Sequence, residues 1–470
     1  MKKVSPVLTS LLIATASLTT AAAPTVRTVP RAEVVVHLPR TDRLAPVVKF
    51  LTAAGRHSAM LRPDSWAREL LPGLEMDVRD VAGLEAKGVD TGRPLTSSFF
   101  GSGKVTCLWL KDPARFEKAA RASLEGYGPL WKDKTPGVFG VHVEGQLVYG
   151  VVIRKKEACV ADDTDGVQPR LQQAVRALTT APTRLGAFDG LTGEAFVLAP
   201  GKVALALTAE GDTLRANGLT LGDHDPRLSG AGPSAFAALK LSGIAVARTR
   251  VHPESSRYLA RKLDSQLAAA CPSCDRKLTG ELVFALSKHL SGDVALRVDR
   301  IQVVGTLRTA ASRFFAVKQA GVARLGSLAA ARKLLEGMKA WPHARATDRG
   351  YSLKLEGGEV ELGISGNNLF FGNDAQAVTN LLQELPPAAT AMAHGAVIDL
   401  DPKLVNKAFG QVSMLDLMSS RELAAVVAVG IELGPLFAHS KAVSLWADSA
   451  AGKKHRFQLQ WTLDAGAARP

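Results

Sequence analysis

One pattern is written twice in this chain, and it constrains the fold more than any other feature. Residues Val141–Leu178 read VHVEGQLVYGVVIRKKEACVADDTDGVQPRLQQAVRAL, and residues Leu353–Leu385 read LKLEGGEVELGISGNNLFFGNDAQAVTNLLQEL. Each gives an alternating apolar run, a Glu-Gly turn (Glu144-Gly145; Glu356-Gly357), a second run holding a glycine (Gly150; Gly363), and a third short run ending at Asp162-Asp163 or Asn373-Asp374. An apolar pattern of helical period then follows. Alternation broken by tight turns predicts antiparallel strands, and the change of period predicts a helix laid on them.

The flanks extend the pattern in both directions. Asp112-Pro113 opens a helical stretch carrying Phe116, Ala120 and Leu124, because Asp at an N-cap accepts backbone N–H bonds and Pro costs nothing in the first turn. Leu328–Met338 takes the same place in the second half, and GAVIDLDP (Gly395–Pro402) repeats GEAFVLAP (Gly193–Pro200). From Leu124 through Asp163 the offset between matching points stays near 211 residues. A repeat in one order at a constant offset is the mark of duplication. The expected fold is therefore α+β: two tandem related copies of mainly antiparallel sheet, with helices packed on one face. The boundaries are 1–22 for a signal peptide, 32–222 for the first copy, 223–234 for a Gly/Pro/Asp-rich linker, and 235–465 for the second copy, which carries a helical insertion near 402–438. Ala235–Leu241 and Glu281–Leu286 read as strands of that second copy.

The motifs LKDPARF, VEGQLVYG, LEGGEVELG and FFGNDAQAV resemble those of uncharacterised exported bacterial α+β proteins of duplicated layout. The resemblance implies an exported α+β protein and lends no catalytic residue.

Residues 1–23 have the form of an export signal: basic Met1-Lys2-Lys3, a short apolar run Val7–Leu18, then small residues Ala21-Ala22-Ala23. That run and Leu423–Phe437 are both shorter than the roughly 20 apolar residues a membrane span needs. The expectation is a periplasmic or secreted protein with no transmembrane span after cleavage. The formal net charge of +14 is compatible with an anionic or lipid ligand, but with the charges scattered a generally basic exported protein is the preferred reading. With aromatics at 6% and no Lys/Arg run longer than three residues, specific nucleic-acid binding is not expected.

Cys271-Pro-Ser-Cys274 is the one motif with redox-active relatives. It follows a helical stretch instead of opening one, so a local disulfide is preferred over a redox or metal pair. Cys107 and Cys159 align with Phe314 and Phe370 in the other half; they read as buried core positions, either free thiols or a pair if their strands are neighbours. Asp162-Asp163-Thr164-Asp165-Gly166 fails as a calcium loop, because Ala161 and Gln172 fall where carboxylates are required. His37, inside an apolar strand, reads as a satisfied core or edge histidine and not a base. The chain lacks GxSxG, HExxH, SxxK and P-loop signatures. No catalytic residue, cofactor or metal is assigned. The functional expectation is a non-catalytic binding or assembly protein with an unknown protein or cell-envelope partner. Two alternatives are kept: a carrier of an apolar ligand or lipid, and a thiol-disulfide enzyme using Cys271 and Cys274.

Overall fold

The structure is a computed structural model that describes residues 25–27, 29–58, 61–62, 67–163, 165–221, 227–252, 255, 280, 283–284, 287–303, 315–340, 343–355, 358–410, 433–450 and 455–464. The chain is α+β with mainly antiparallel strands, and it divides into two units. One takes the described residues within Met1–Gly222 together with those of Gln458–Pro470; the other takes those within Asp223–Phe457.

The strands of the first unit are β1 (Thr25–Val26), β2 (Val34–Leu38), β3 (Leu95–Phe99), β4 (Gly103–Trp109), β5 (Leu130–Lys132), β6 (Val138–Val143), β7 (Gln146–Arg154), β8 (Glu157–Asp163), β9 (Thr183–Arg184), β10 (Ala195–Ala199), β11 (Val203–Glu210) and β12 (Thr213–Thr220). Its helices are α1 (Ala45–Gly55), α2 (Val81–Ala86), α3 (Pro113–Glu125) and α4 (Gln168–Thr179). The sheet runs β12-β11-β10-β2-β3-β4-β8-β7-β6-β5, antiparallel throughout. The Glu144-Gly145 turn is present as expected: both residues have positive φ (51° and 80°), as a two-residue hairpin turn requires.

Helices cover both faces of this sheet, not one. Along β8, Ala158 and Val160 pack in one core with Phe116, Ala120 and Leu124 of α3, while Cys159 and Ala161 pack in another with Leu171, Ala174 and Leu178 of α4. Successive side chains leave a strand on opposite sides. Here both sets are small or apolar, so both need cover, and the expectation of helices on one face does not hold for these central strands. Gly150 marks how closely α4 sits. A Cβ there would overlap Leu171 Cδ2 and lie 2.7 Å from its Cδ1 and Cγ. Gly150→Ala is therefore expected to destabilise the protein by about 1–3 kcal/mol through overpacking, measured by urea denaturation; an unchanged midpoint would show that α4 yields freely.

In the second unit the strands are β13 (Gly232–Ser234), β14 (Ala245–Arg250), β15 (Leu290–Val303), β16 (Phe315–Leu325), β17 (Ala344–Thr347), β18 (Gly350–Leu355), β19 (Gly358–Ser365), β20 (Asn368–Gly372), β21 (Thr390–Met392), β22 (Ala396–Leu400) and β23 (Ser440–Ser449). The helices are α5 (Leu328–Glu336), α6 (Ala375–Gln383) and α7 (Pro402–Phe409). The order is β23-β22-β14-β15-β16-β20-β19-β18-β17, again antiparallel. Leu335 of α5 shares a core with Leu325 and Leu369, whereas Val378 and Leu381 of α6 share another with Val322 and Phe370, so both faces are covered here too.

Two strand expectations fail in this unit. Ala235–Leu241 holds turns and irregular chain, and the first long strand is Ala245–Arg250. Phe236 and Leu239 are buried, so their apolar spacing reflects a packed turn, not a pleat. Within Glu281–Leu286, the described residues Val283 and Phe284 are helical; a short apolar run does not by itself distinguish strand from helix. Residues Leu433–Phe437 are helical, with Leu433 and Leu436 buried, and the rest of Leu423–Phe437 lies outside the described residues. Among the described residues no helix is long and apolar enough to cross a membrane.

The last strand, β24 (His455–Leu463), belongs to the first unit from Gln458 onward. There Leu463 N–H donates to Asp212 O at 2.9 Å, and the Thr213 and Thr462 hydroxyls lie 3.1 Å apart.

Candidate ligand groove

A groove of about 420 Å³ in the second unit is the best candidate site; it is lined by Ile244, Asp299, Arg300, Ile301, Gln302, Leu404, Lys407 and Ala408. Its construction follows from a mismatch in strand length. β14 begins pairing with β15 at Ala245↔Val298, whereas β15 continues to Val303 beside β16. The overhang starts at a bulge between Val298 and Arg300, a device that re-aims side chains at a sheet margin. Helix α7 lies against β15 and β23 and closes the other side.

Short-range bonds hold these walls. Ile244 N–H donates to Val298 O at 2.8 Å, and Asp401 N–H donates to Ile244 O at 2.9 Å. The Asp401 carboxylate caps α7, accepting from Lys403 N and Leu404 N at 2.9 and 3.0 Å, and Pro402 takes the first turn. The Asp-Pro helix start expected from sequence thus forms one wall of the groove.

The lining divides sharply by chemistry. Ile244 and Ala408 are buried, and Leu404 is 36% exposed, an unusual position for a large apolar side chain on a helix next to a hollow. Asp299 is already occupied. Its Oδ1 accepts from Arg297 Nε at 2.5 Å and its Oδ2 from Arg297 Nη2 at 3.2 Å. Arg297, almost fully buried, also donates through Nη1 to Ser242 Oγ and pairs with Glu384. By contrast Arg300 and Lys407 are exposed, and among the described residues neither has an ion-pair partner. The groove therefore presents an apolar floor with two exposed cations that have no ion-pair partner among the described residues, and the Gln302 side chain.

The first unit has a smaller hollow of about 210 Å³, lined in part by Arg27, Arg93, Thr96, Cys107, Trp109, Glu157, Leu178 and Pro182. It falls below the usual range for ligand pockets, whereas the groove in the second unit lies within it. Its central cation is spent on structure. Arg27 donates to both Glu157 oxygens at 2.9 and 2.7 Å, to Ala177 O at 2.9 Å, and to Thr180 O.

The sequence-derived candidates fare differently. Cys271 and Cys274 lie outside the described residues. So do Phe314 and residues 1–24. Cys107 and Cys159 are directly opposed across β4 and β8 and form a disulfide, Sγ–Sγ 2.00 Å. The acids that end β8 are held in ion pairs. Asp163, 4% exposed, accepts from Arg170 Nε at 2.7 Å, and Asp162 sits beside Lys104, with burial pushing its carboxyl above the usual range. Neither caps α4, whose N-cap residue is Val167 and makes no side-chain capping bond. Among the described residues no group of three or more His, Cys, Asp or Glu is placed to hold a metal.

His37 is a satisfied core histidine, 1% exposed, with Nδ1 2.9 Å from Thr96 Oγ1. His394 pairs through Nδ1 with Asp448 Oδ2 at 2.8 Å, while Asp448 Oδ1 accepts from Gly395 N. That pair was not singled out from sequence. Its partners are 54 residues apart, and only the β22–β23 pairing brings them together.

No protein-family model matches the chain, and no curated protein matches it. Among solved structures, the chain is similar to crystal form III of TP0453, at 12% identity and a TM-score of 0.28, covering 44% of this chain and 83% of that one. It is similar also to crystal form IV of TP0453, at 11% identity and a TM-score of 0.27, covering 42% and 80%. Similarity at this level carries no argument about fold or function. What the site can do rests on its own residues: the groove offers apolar contact and positive charge at one place, which is the chemistry of binding.

Proposed function

We propose that this is an exported, non-catalytic binding protein, built from two related copies, that engages its ligand or cell-envelope partner through the groove between β15 and α7. The observation that carries the reading is the groove's lining. Leu404 is left partly exposed over a buried apolar floor, and Arg300 and Lys407 flank it while the nearby carboxylate is taken by Arg297. Export is supported by the Cys107–Cys159 disulfide, which fits an oxidising compartment, and by the N-terminal signal pattern.

Duplication is supported by strand order. The run β11-β10-β2-β3-β4-β8-β7-β6-β5 has the same connectivity as β23-β22-β14-β15-β16-β20-β19-β18-β17, with helices after β4 and β8 in one and after β16 and β20 in the other. On that alignment Cys159 still matches Phe370, but the partner of Cys107 is Val322, not Phe314, because Val322 faces Phe370 in the ladder. The two glycines also part company: Gly150 faces Ala161, whereas Gly363 faces Phe370.

The test is native mass spectrometry of protein released gently from its own cell envelope, wild type beside Leu404→Asp. A retained species is expected on the wild type and at least tenfold less of it on the variant, with both melting at the same temperature. Equal occupancy, or none on either, would overturn the reading.

A further inference from the structure

We infer that the groove between β15 and α7 takes a free single-chain carboxylic acid, its carboxylate held by Arg300 and Lys407 and its chain laid over Ile244, Leu404 and Ala408. This rests on the binding role proposed above and names the class of ligand. Of the three ionic side chains lining the groove, Asp299 has both oxygens on Arg297, which leaves two exposed cations facing one hollow. A neutral or cationic ligand would leave that charge uncompensated, whereas an anion gains charge-assisted bonds from a guanidinium fork and an ammonium together. The Gln302 amide adds a further donor at the same rim.

Size and polarity supply the rest. The volume of about 420 Å³ lies toward the small end of the usual range for small-molecule sites, a scale that suits one acyl chain beside one carboxylate. The floor suits a chain: Ile244 and Ala408 are buried, and Leu404 is partly bare. The pocket beside Cys107 has neither property, being half the volume and with Arg27 paired to Glu157.

The experiment is titration calorimetry of the full chain with laurate below its micelle concentration, beside dodecyl maltoside and dodecyltrimethylammonium, which share the chain and change the head. Laurate is expected to bind with micromolar affinity and the cation not at all. Arg300→Gln/Lys407→Gln is expected to weaken laurate at least tenfold and leave dodecyl maltoside unchanged. Both residues are exposed, so folding is expected to survive, and circular dichroism checks it. Laurate affinity unchanged in the double variant, or equal affinity for all three heads, overturns the inference. So does binding to phosphatidylglycerol vesicles without binding to laurate. If laurate fails while Leu404→Asp still strips the natively retained species, the ligand class is wrong and the binding role stands. If Leu404→Asp strips nothing, the binding role itself falls.

Discussion

Reducing the Cys107–Cys159 disulfide is expected to lower the stability of the protein by about 4 kcal/mol. The bond closes a loop between cysteines 52 residues apart, and cross-linking a loop of that length removes unfolded-state entropy worth roughly 3–5 kcal/mol at room temperature. Both cysteines are buried, Cys159 completely, so reduced thiols gain no solvation in the folded state to offset the loss. The measurement is urea denaturation with and without a phosphine reductant, followed by hydrogen exchange to locate the change. Amides of β4 and β8, which flank the bond, are expected to lose protection. Those of β16 and β20 are expected to hold, because the facing residues there include Val322 and Phe370 and no disulfide joins these strands. Identical midpoints in the two redox states would rule out the staple as a source of stability.

A second large effect is set by pH. His37 lies in β2, buried between Thr96 and the ring of Phe196, 6.1 Å away. Burial lowers its pKa from 6.5 to about 4, since an imidazolium ion in that core would lose its water. In the unfolded chain the ring takes a proton below 6.5; in the folded chain it resists until about 4. The unfolded state then holds more protons across that window, so stability rises with pH through it. The contribution is complete above pH 6.5, falls as pH drops toward 4, and amounts to about 3 kcal/mol over the whole range. Denaturation of wild type and His37→Gln between pH 7 and pH 4 checks it: the wild type is expected to lose more stability on acidification, by that difference. Parallel pH profiles would sink the claim.

These two predictions show how unevenly the molecule can be read from its chain. The position of His37 was legible because a lone imidazole in AEVVVHL has no polar neighbour in sequence to hold it at the surface. The cysteines were half legible. Their apolar surroundings announced burial, but pairing depends on β4 and β8 being adjacent and in register, and residues 110–156 intervene. The groove was not legible at all. Asp401-Pro402 announced a helix, but nothing local to Ile244, Arg300 or Leu404 connects them.

The sequence by itself determined the local units: hairpins with left-handed turn residues at Glu144-Gly145, helices opened by Asp112-Pro113 and Asp401-Pro402, and antiparallel α+β character throughout. Those follow from backbone sterics, capping and apolar period, which act over a few residues. Tertiary structure alone decided that helices cover both sheet faces, that the CysCys pair at 107 and 159 is bonded, and that β15 overhangs β14 to leave a basic, apolar-floored groove. The physical reason is register. Which strand stands beside which, and by how many residues it overshoots, is set by the summed burial of distant side chains, and no short stretch of chain carries that sum.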